Sequence, residues 1–445
     1  MTTIYSARWV LPVASPPIEH GGVAVDGPVI VGVGDAAEIA STFPAARIES
    51  FAESIILPGL INTHTHLELT ALRGYLEKEE DDFFSWLRKL TLARVERMTA
   101  DDIRVSATWG ACEAVRAGIT CVGDASDAAM MSMFALRDVG LRGVVFQESF
   151  GPDPRLVAEN FGKLKTKVEE LRAVENKLVR AGVSPHAPYT VCRAQLELIA
   201  EFAGAEQLPL MMHAAESESE ELLLREGRGI FAAGLAKRGI EWTAPRVSTV
   251  QYLKQAGILD TQPLLAHCIR VDDEDIETLK ETRTKVAHCP KSNAKLGHGR
   301  APLAKFIGAG IAVGLGSDSV ASNNTCDIIE EARFASLLAR DSKNPFLTAS
   351  LMIAAATTGG AQCLGWEKEI GVLSEGAQAD LIVVGLTGTH QLPVYDPETA
   401  LIFASSGRDV VLTIIAGREV YRDQRVTGVD EDRLKARLSE IAQKL

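Results

Sequence analysis

Six of the nine histidines, and one aspartate, stand where short apolar runs give way to polar residues. His64 and His66 lie in NTHTHLEL, His186 in VSPHAPYT, His213 in MMHAAESE, His267 in LLAHC and His288 in VAHCPKSN, and Asp318 ends GIAVGLGSDS. Histidines two apart on a strand turn both imidazoles to one face, which suits two ligands on one ion. An isolated H-x-H fits a turn equally well. The metal reading gains from the apolar strand before it, from Pro58-Gly59, and from the histidines ending later runs. Glu216 follows His213 by three residues, where a strand turns into a helix, and a carboxylate beside a ligand imidazole can transfer a proton. Glu218, Glu220 and Glu221 read as the solvated start of that helix. His267 reads as a fourth ligand or as a group that orients a base. Asp318 reads as a helix cap or as a ligand that also takes a proton from water, and Ser317 and Ser319 as turn residues. A His₃Asp set leaves one position open for water. A bound ion lowers the pKa of that water to about 7. One divalent metal is expected. Zinc suits the mixed imidazole and carboxylate shell, and iron or manganese would fit it too.

Residues so far apart can share a site only if the fold gathers them. Eight short apolar runs end in polar residues: 55–66, 119–124, 142–148, 179–186, 208–216, 263–268, 284–289 and 311–318. Helical patterns at 100–117, 154–178, 217–236, 272–282 and 345–364 alternate with them. Thr99 caps the first of these, with Asp101 and Asp102 in its first turn and Gly118 closing it. Strands alternating with helices imply parallel βα units. The fold class is α/β, a (β/α)₈ barrel, whose strand ends share one mouth. Both chain ends are rich in β instead. Residues 21–32 form a hairpin about Asp26-Gly27, and 380–384, 410–415 and the run EVY are strand-like. Residues 1–57 and 370–445 are therefore assigned to a small β-sandwich domain with a C-terminal helix, and 58–369 to the barrel.

A chain of 445 residues is long enough for a full barrel and a second small domain. Its 46% hydrophobic and 24% charged residues suit a globular enzyme and leave no disordered tract to explain. The net charge of −13 repels phosphate backbones, so a nucleic-acid partner is not expected. Seven scattered cysteines without C-x-x-C fit reduced thiols in the cytoplasm. The first twenty residues lack a basic start and contain three prolines, so no secretion signal is read there. No apolar run is long enough for a transmembrane helix, and no membrane partner is expected.

Together PGLINTHTHLE, SPHAPYT, HAAESESE, LLAHC, VAHCPKSNAKLGHG and GLGSDSVASNN resemble the amidohydrolase superfamily over nearly the whole chain. Within it the chain is similar to the mononuclear branch of adenosine-type deaminases, which includes S-adenosylhomocysteine and methylthioadenosine deaminases. His186 ends the fourth run, where dinuclear relatives carry a lysine, which supports a single metal. The resemblance implies that His64, His66, His213 and Asp318 bind the metal. It makes Glu216 the acid for the ring nitrogen and His267 the group that polarises the attacking water. Asp318 carries a proton to departing ammonia, and His186 touches the substrate near the metal. Ser292, Asn293, Ser322 and Asn323 read as loop-shaping residues. DDFFSWLRKL after the first strand folds over the pocket, with Ser85 where adenosine-type relatives have a glutamate. Glu68, Ser85 and Trp86 are the substrate-side candidates. Trp86 and Phe84 offer faces for a flat ring, although aromatics at such spacing are more often core. FFSWL, Glu68 and HAPYTV look closest to aminodeoxyfutalosine deaminases of menaquinone biosynthesis. The expected partner is a small-molecule substrate, with a homodimer as a possible assembly. S-adenosylhomocysteine, methylthioadenosine, 5′-deoxyadenosine or adenosine deamination is one alternative, and guanine deamination or triazine chlorohydrolysis another. A binding protein without activity is disfavoured because every proposed ligand and the acid remain. His20, His298 and His390 receive no role.

Overall fold

The computed structural model describes residues 1–340 and 346–445. The eight apolar runs supply eight parallel strands: β1 (Leu60–Thr65), β2 (Ile119–Ser126), β3 (Arg142–Ser149), β4 (Val179–Pro185), β5 (Met211–Ala214), β6 (Leu264–His267), β7 (Lys285–His288) and β8 (Val313–Leu315). They pair as two sheets of four, β1 to β4 and β5 to β8. Single backbone bridges join the sheets at both edges, Val183 to Leu210 and Thr65 to Asp318. The strands thus run around a ring, as the fold class requires. Ile61, Cys121, Phe146, Met211, Ala266 and Ala287 form one buried cluster. Side chains from strands so spread around the ring can meet only inside it.

The first run divides. Arg47–Pro58 pairs antiparallel with Leu381–Gly385 in the flanking sheet, and β1 starts only at Leu60. Gly59 marks the break. A Cβ there would stand 2.0 Å from the Thr120 hydroxyl, so only glycine lets the chain cross this closely between sheets. The flanking sheet has nine strands and draws on both chain ends. It includes the hairpin Gly21–Asp26 with Val29–Asp35, whose turn residue Gly27 has φ +57°. Tyr5, Val23, Ile30, Ile56, Leu381 and Leu412 give it a core of its own. Arg142 at the start of β3 forks onto Asp380 at 2.8 and 2.9 Å and ties sheet to barrel. Both side chains are buried, so the two-pronged pairing is what makes either charge tolerable there.

The helix read at 100–117 spans Ala100–Arg116, with Thr99 and Asp102 in a reciprocal capping box worth ~1 kcal/mol. The terminal helix Glu431–Lys444 lies against it, and Lys444 pairs with Asp102 at 3.0 Å. The helix read at 217–236 is two, Glu218–Glu226 and Ile230–Lys237, because Gly227 and Gly229 take φ +68° and +95°. Of the stretch read at 345–364, Pro345 lies outside the described residues. Helix begins at Ala349 and widens over Ala355–Gly359. All seven cysteines are free and buried. Among the described residues no helix is long and apolar enough to cross a membrane.

Candidate active site

The strand ends that carry His64, His66, His186, His213, His267 and Asp318 reach the same mouth. His64 and His66 project from β1, His213 from β5, and Asp318 lies three residues past β8. His66 Nε2 and His213 Nε2 are 3.2 Å apart. Asp318 Oδ1 lies 3.5 Å from His64 Nε2 and 3.6 Å from His66 Nε2. His64 Nε2 is buried with no hydrogen-bond partner. His213 Nδ1 bonds the His186 carbonyl at 2.9 Å, which leaves Nε2 bare for a cation. Burial lowers the pKa of all three imidazoles, that of His64 to about 4, so they are neutral and offer lone pairs at pH 7. Burial alone would raise the Asp318 carboxyl. The surrounding imidazoles, His64 foremost, outweigh it and hold the group well below its usual range. His64, His66 and His213 lie close enough to share one divalent cation, and Asp318, grouped with His64 and His267, stands beside them with Oδ1 3.5 Å from His64 and 3.6 Å from His66.

The backbone at the mouth is strained. His267, Asp318 and Ala215 take φ of +73°, +56° and +52°. Each costs of order 1 kcal/mol for a residue with a Cβ. Hydrogen bonds from Asp318 N to His64 O, and from Cys268 N to Ala214 O, hold two of these turns in place.

A cavity of about 360 Å³ opens above the cluster. His66, His186, His213, Glu216, Asp318 and Trp86 all line it, and so does Glu68. Glu216 is buried, with Oε1 3.7 Å from His267 Nε2 and Oε2 3.5 Å from the Tyr189 hydroxyl. His267 Nδ1 meets Asn293 Oδ1 at 2.8 Å, while Nε2 has no partner. Burial would lower the His267 pKa, but the carboxylates of Glu216 and Asp318 raise it overall. His186 Nδ1 bonds Thr190 at 2.8 Å. The buried Glu68 carboxylate is fully engaged. It pairs with Arg94 at 2.9 Å and accepts from Ser126 at 2.5 Å and Ala128 N at 3.1 Å. Ser85 is absent from the cavity lining, and its hydroxyl bonds Asp82 at 2.5 Å beside the helix start. His288 lies in a separate hollow with Asn293.

Residues 55–420 match the model of the Amidohydrolase family. The chain belongs to that family. It is 32% identical over 427 residues to the 5-methylthioadenosine/S-adenosylhomocysteine deaminase of Pelotomaculum thermopropionicum, covering 96% of this chain and 94% of the relative. It is 33% identical over 434 residues to the enzyme of the same description from Symbiobacterium thermophilum, covering 96% and 94%. An adenosine deaminase from Xanthomonas campestris, solved with zinc, superposes with a TM-score of 0.85 at 26% identity, covering 99% of this chain and 98% of the other. The aminofutalosine deaminase of Helicobacter pylori shares the fold, with a TM-score of 0.79 at 24% identity, covering 94% and 100%. As an amidohydrolase the chain is a hydrolase of carbon–nitrogen bonds.

Several residues around this amidohydrolase centre carry more than their sequence suggested. Ser292 and Ser322, read as loop-shaping, give their hydroxyls to Asp318 Oδ2 at 2.5 and 3.1 Å. This leaves Oδ1 facing the imidazoles. Asn293 orients His267. The only signal was proximity to HCP and SDS, which does not tell a loop from a hydroxyl donor. Glu148 at the end of β3 also lines the cavity, with Oε1 unpaired and its pKa raised well above normal by burial. Glu220, read as solvated, is fully buried. It accepts from Ala215 N at 2.8 Å, Glu216 N at 3.2 Å and Thr249 at 2.7 Å, and so fixes the backbone of the acid. Its place one turn into a helix gave no hint of this.

Burial pushes the Glu220 carboxyl from 4.5 up to about 7. Its folded pKa exceeds the unfolded one, so its contribution is complete below pH ~4.5 and is lost as pH rises through about 7. Glu220→Gln keeps an acceptor and removes the ionisation. Between pH 6 and 8.5 the wild type is expected to lose about 1–2 kcal/mol relative to this variant. Thermal melts of both proteins at the two pH values check this; a difference in Tm that does not change with pH would contradict it.

Proposed function

We propose that this enzyme hydrolyses the amino group from the ring of a 5′-modified adenine nucleoside and releases ammonia. One observation carries the reading: the carboxyl groups of Glu216 and Asp318 share one buried cavity with the His66 and His213 imidazoles. A proton donor for the ring nitrogen and an acceptor for the attacking water are thus on hand together. His64, His66, His213 and Asp318 would hold the ion, with zinc the best match to the donor set. When bound, the ion makes water acidic enough to be deprotonated near neutral pH. Asp318 takes a proton from the attacking water and passes it to the departing ammonia, with Ser292 and Ser322 fixing its orientation. Glu216 protonates the ring nitrogen beside the attacked carbon. His267, held by Asn293, directs an N–H or lone pair at the water, and His186 contacts the substrate beside it.

Aminodeoxyfutalosine is the leading substrate. Phe83, Trp86, Leu90 and Phe150 wall the cavity for a flat base and a long apolar 5′ group. Arg238 lines it too and has no ion-pair partner among the described residues, so it is available to a distal carboxylate. Arg94, in contrast, is neutralised by Glu68 and Asp127. S-adenosylhomocysteine and methylthioadenosine form the second reading, which the relatives' descriptions favour. A panel of these nucleosides with adenosine, guanine and a chlorotriazine, scored for ammonia and chloride release, separates the readings. The kcat/KM for aminodeoxyfutalosine is expected to be at least ~10-fold that for methylthioadenosine and adenosine, which carry no distal carboxylate, since a matched charged group is worth about 1.5–3 kcal/mol. A preference for methylthioadenosine would replace the leading substrate, and chloride release without ammonia would overturn the deaminase reading.

A further inference from the structure

We propose that His298 is a proton relay that recharges Glu216 from water outside the cavity. A second hollow of about 400 Å³ lies beside the first. Phe83 and Leu296 line both hollows and form the wall between them. Glu216 lines only the inner one and His298 only the outer. The two side chains meet across that wall, with His298 Nε2 3.7 Å from Glu216 Oε1. Nε2 is buried and has no hydrogen-bond partner. The ring is held edge-on to Phe83, with centroids 4.6 Å apart, so it points at Glu216 without being spent on another group. A separation of 3.7 Å is longer than a hydrogen bond, and such contacts commonly tighten when substrate binds.

The inference rests on the deaminase reading for the step it serves. In each turnover Glu216 gives one proton to a ring nitrogen, where it stays as the N–H of the product. Nε2–H of His298 passes to Glu216 Oε1 while Nδ1 takes a proton from water in the outer hollow. Rotation of the ring then brings the newly protonated nitrogen round to face Glu216 for the next turnover. Of the attacking water's two protons, one leaves on ammonia through Asp318 and the other, from the hydroxyl it becomes on the ring carbon, goes to solvent and balances the one drawn in, so one water is consumed and one ammonia leaves. The groups facing His298 are Glu216, His267, Asp318 and Arg270. Burial lowers its pKa, followed by the opposing pull of Glu216. A neutral ring able to give and take a proton at pH 7 is the result. Asp81, Asp82 and Glu218 border the outer hollow.

Two measurements test this. In the first, NMR titration of labelled histidine in wild type and Glu216→Gln reports proton coupling without any substrate. The His298 pKa is expected to fall by about one unit when the neighbouring carboxylate is removed. An unchanged titration overturns the relay. In the second, His298→Ala is expected to lower kcat about 10–100-fold with KM and metal content near wild type, and added imidazole is expected to restore part of it. The alkaline limb of its pH profile should also shift. An unchanged kcat, or a loss that imidazole leaves untouched, overturns the relay. Should the alanine variant fold poorly, His298→Gln with the same rescue takes its place. If the wild type deaminates no ring amine, the proposed function falls, while the titration still decides whether His298 and Glu216 share a proton.

Discussion

Glu216→Gln is expected to lower kcat by about 10²–10⁴-fold while leaving metal content and product affinity near wild type. The substitution keeps the size of the side chain and its acceptor oxygen but removes the transferable proton. General acid catalysis is worth about that factor, or roughly 3–5 kcal/mol of barrier. Glu216 lines the cavity and, among the described residues, belongs to none of the clusters close enough to hold a metal. Its backbone is held by Glu220, so the amide should occupy the same place. Metal analysis, calorimetric binding of the deaminated product and single-turnover rates separate the steps. A fall in metal content matching the loss of rate would mean that Glu216 acts on the centre's assembly and not as the acid.

Asp318→Asn is expected to damage two properties at once. The amide carries no charge to balance a divalent cation, and it cannot accept a proton from water and return it to ammonia. Activity is expected to fall about 10³-fold or more even at saturating metal, since acid–base transfer alone supplies about 10²–10⁴. Zinc affinity is expected to weaken by at least ~10-fold. Ser292→Ala removes only one of two hydroxyls on Oδ2, so a smaller loss, about 10-fold, is expected by comparison with other supporting groups around metal ligands. Competition titrations with a chromophoric chelator give the affinities. Asp318→Asn with full activity at saturating zinc would remove Asp318 from proton transfer and leave it a ligand alone.

Much of this site was legible because strand ends in a barrel converge. The alternation of apolar runs and helices placed His64, His66, His213, Glu216, His267 and Asp318 at one mouth, and the structure brings them there. Groups that act through a tertiary contact were not legible. Ser292 and Ser322 look like any loop serines until Asp318 turns, with positive φ, to meet them. Glu220 stands in an acidic stretch, and only the Thr249 hydroxyl and two backbone N–H groups mark it as buried. Ser85 shows the reverse. Its alignment by motif made it a substrate contact, but local capping geometry turned its hydroxyl to Asp82. The division of the first run at Gly59 was equally hidden, since both halves are apolar and only the sheet each joins tells them apart.

The ring is closed on one side by a single bridge between Thr65 and Asp318. Thr65 stands between His64 and His66, so the joint and three of the four side chains proposed to hold the ion are one place. The two partners are 253 residues apart in sequence. An ion seated there would rivet the earliest barrel strand to the latest. The four-ligand site would be complete only once the last strand had docked. Cation binding would therefore favour the fully assembled ring over every partly open form, by about 4 kcal/mol at a thousandfold excess over Kd.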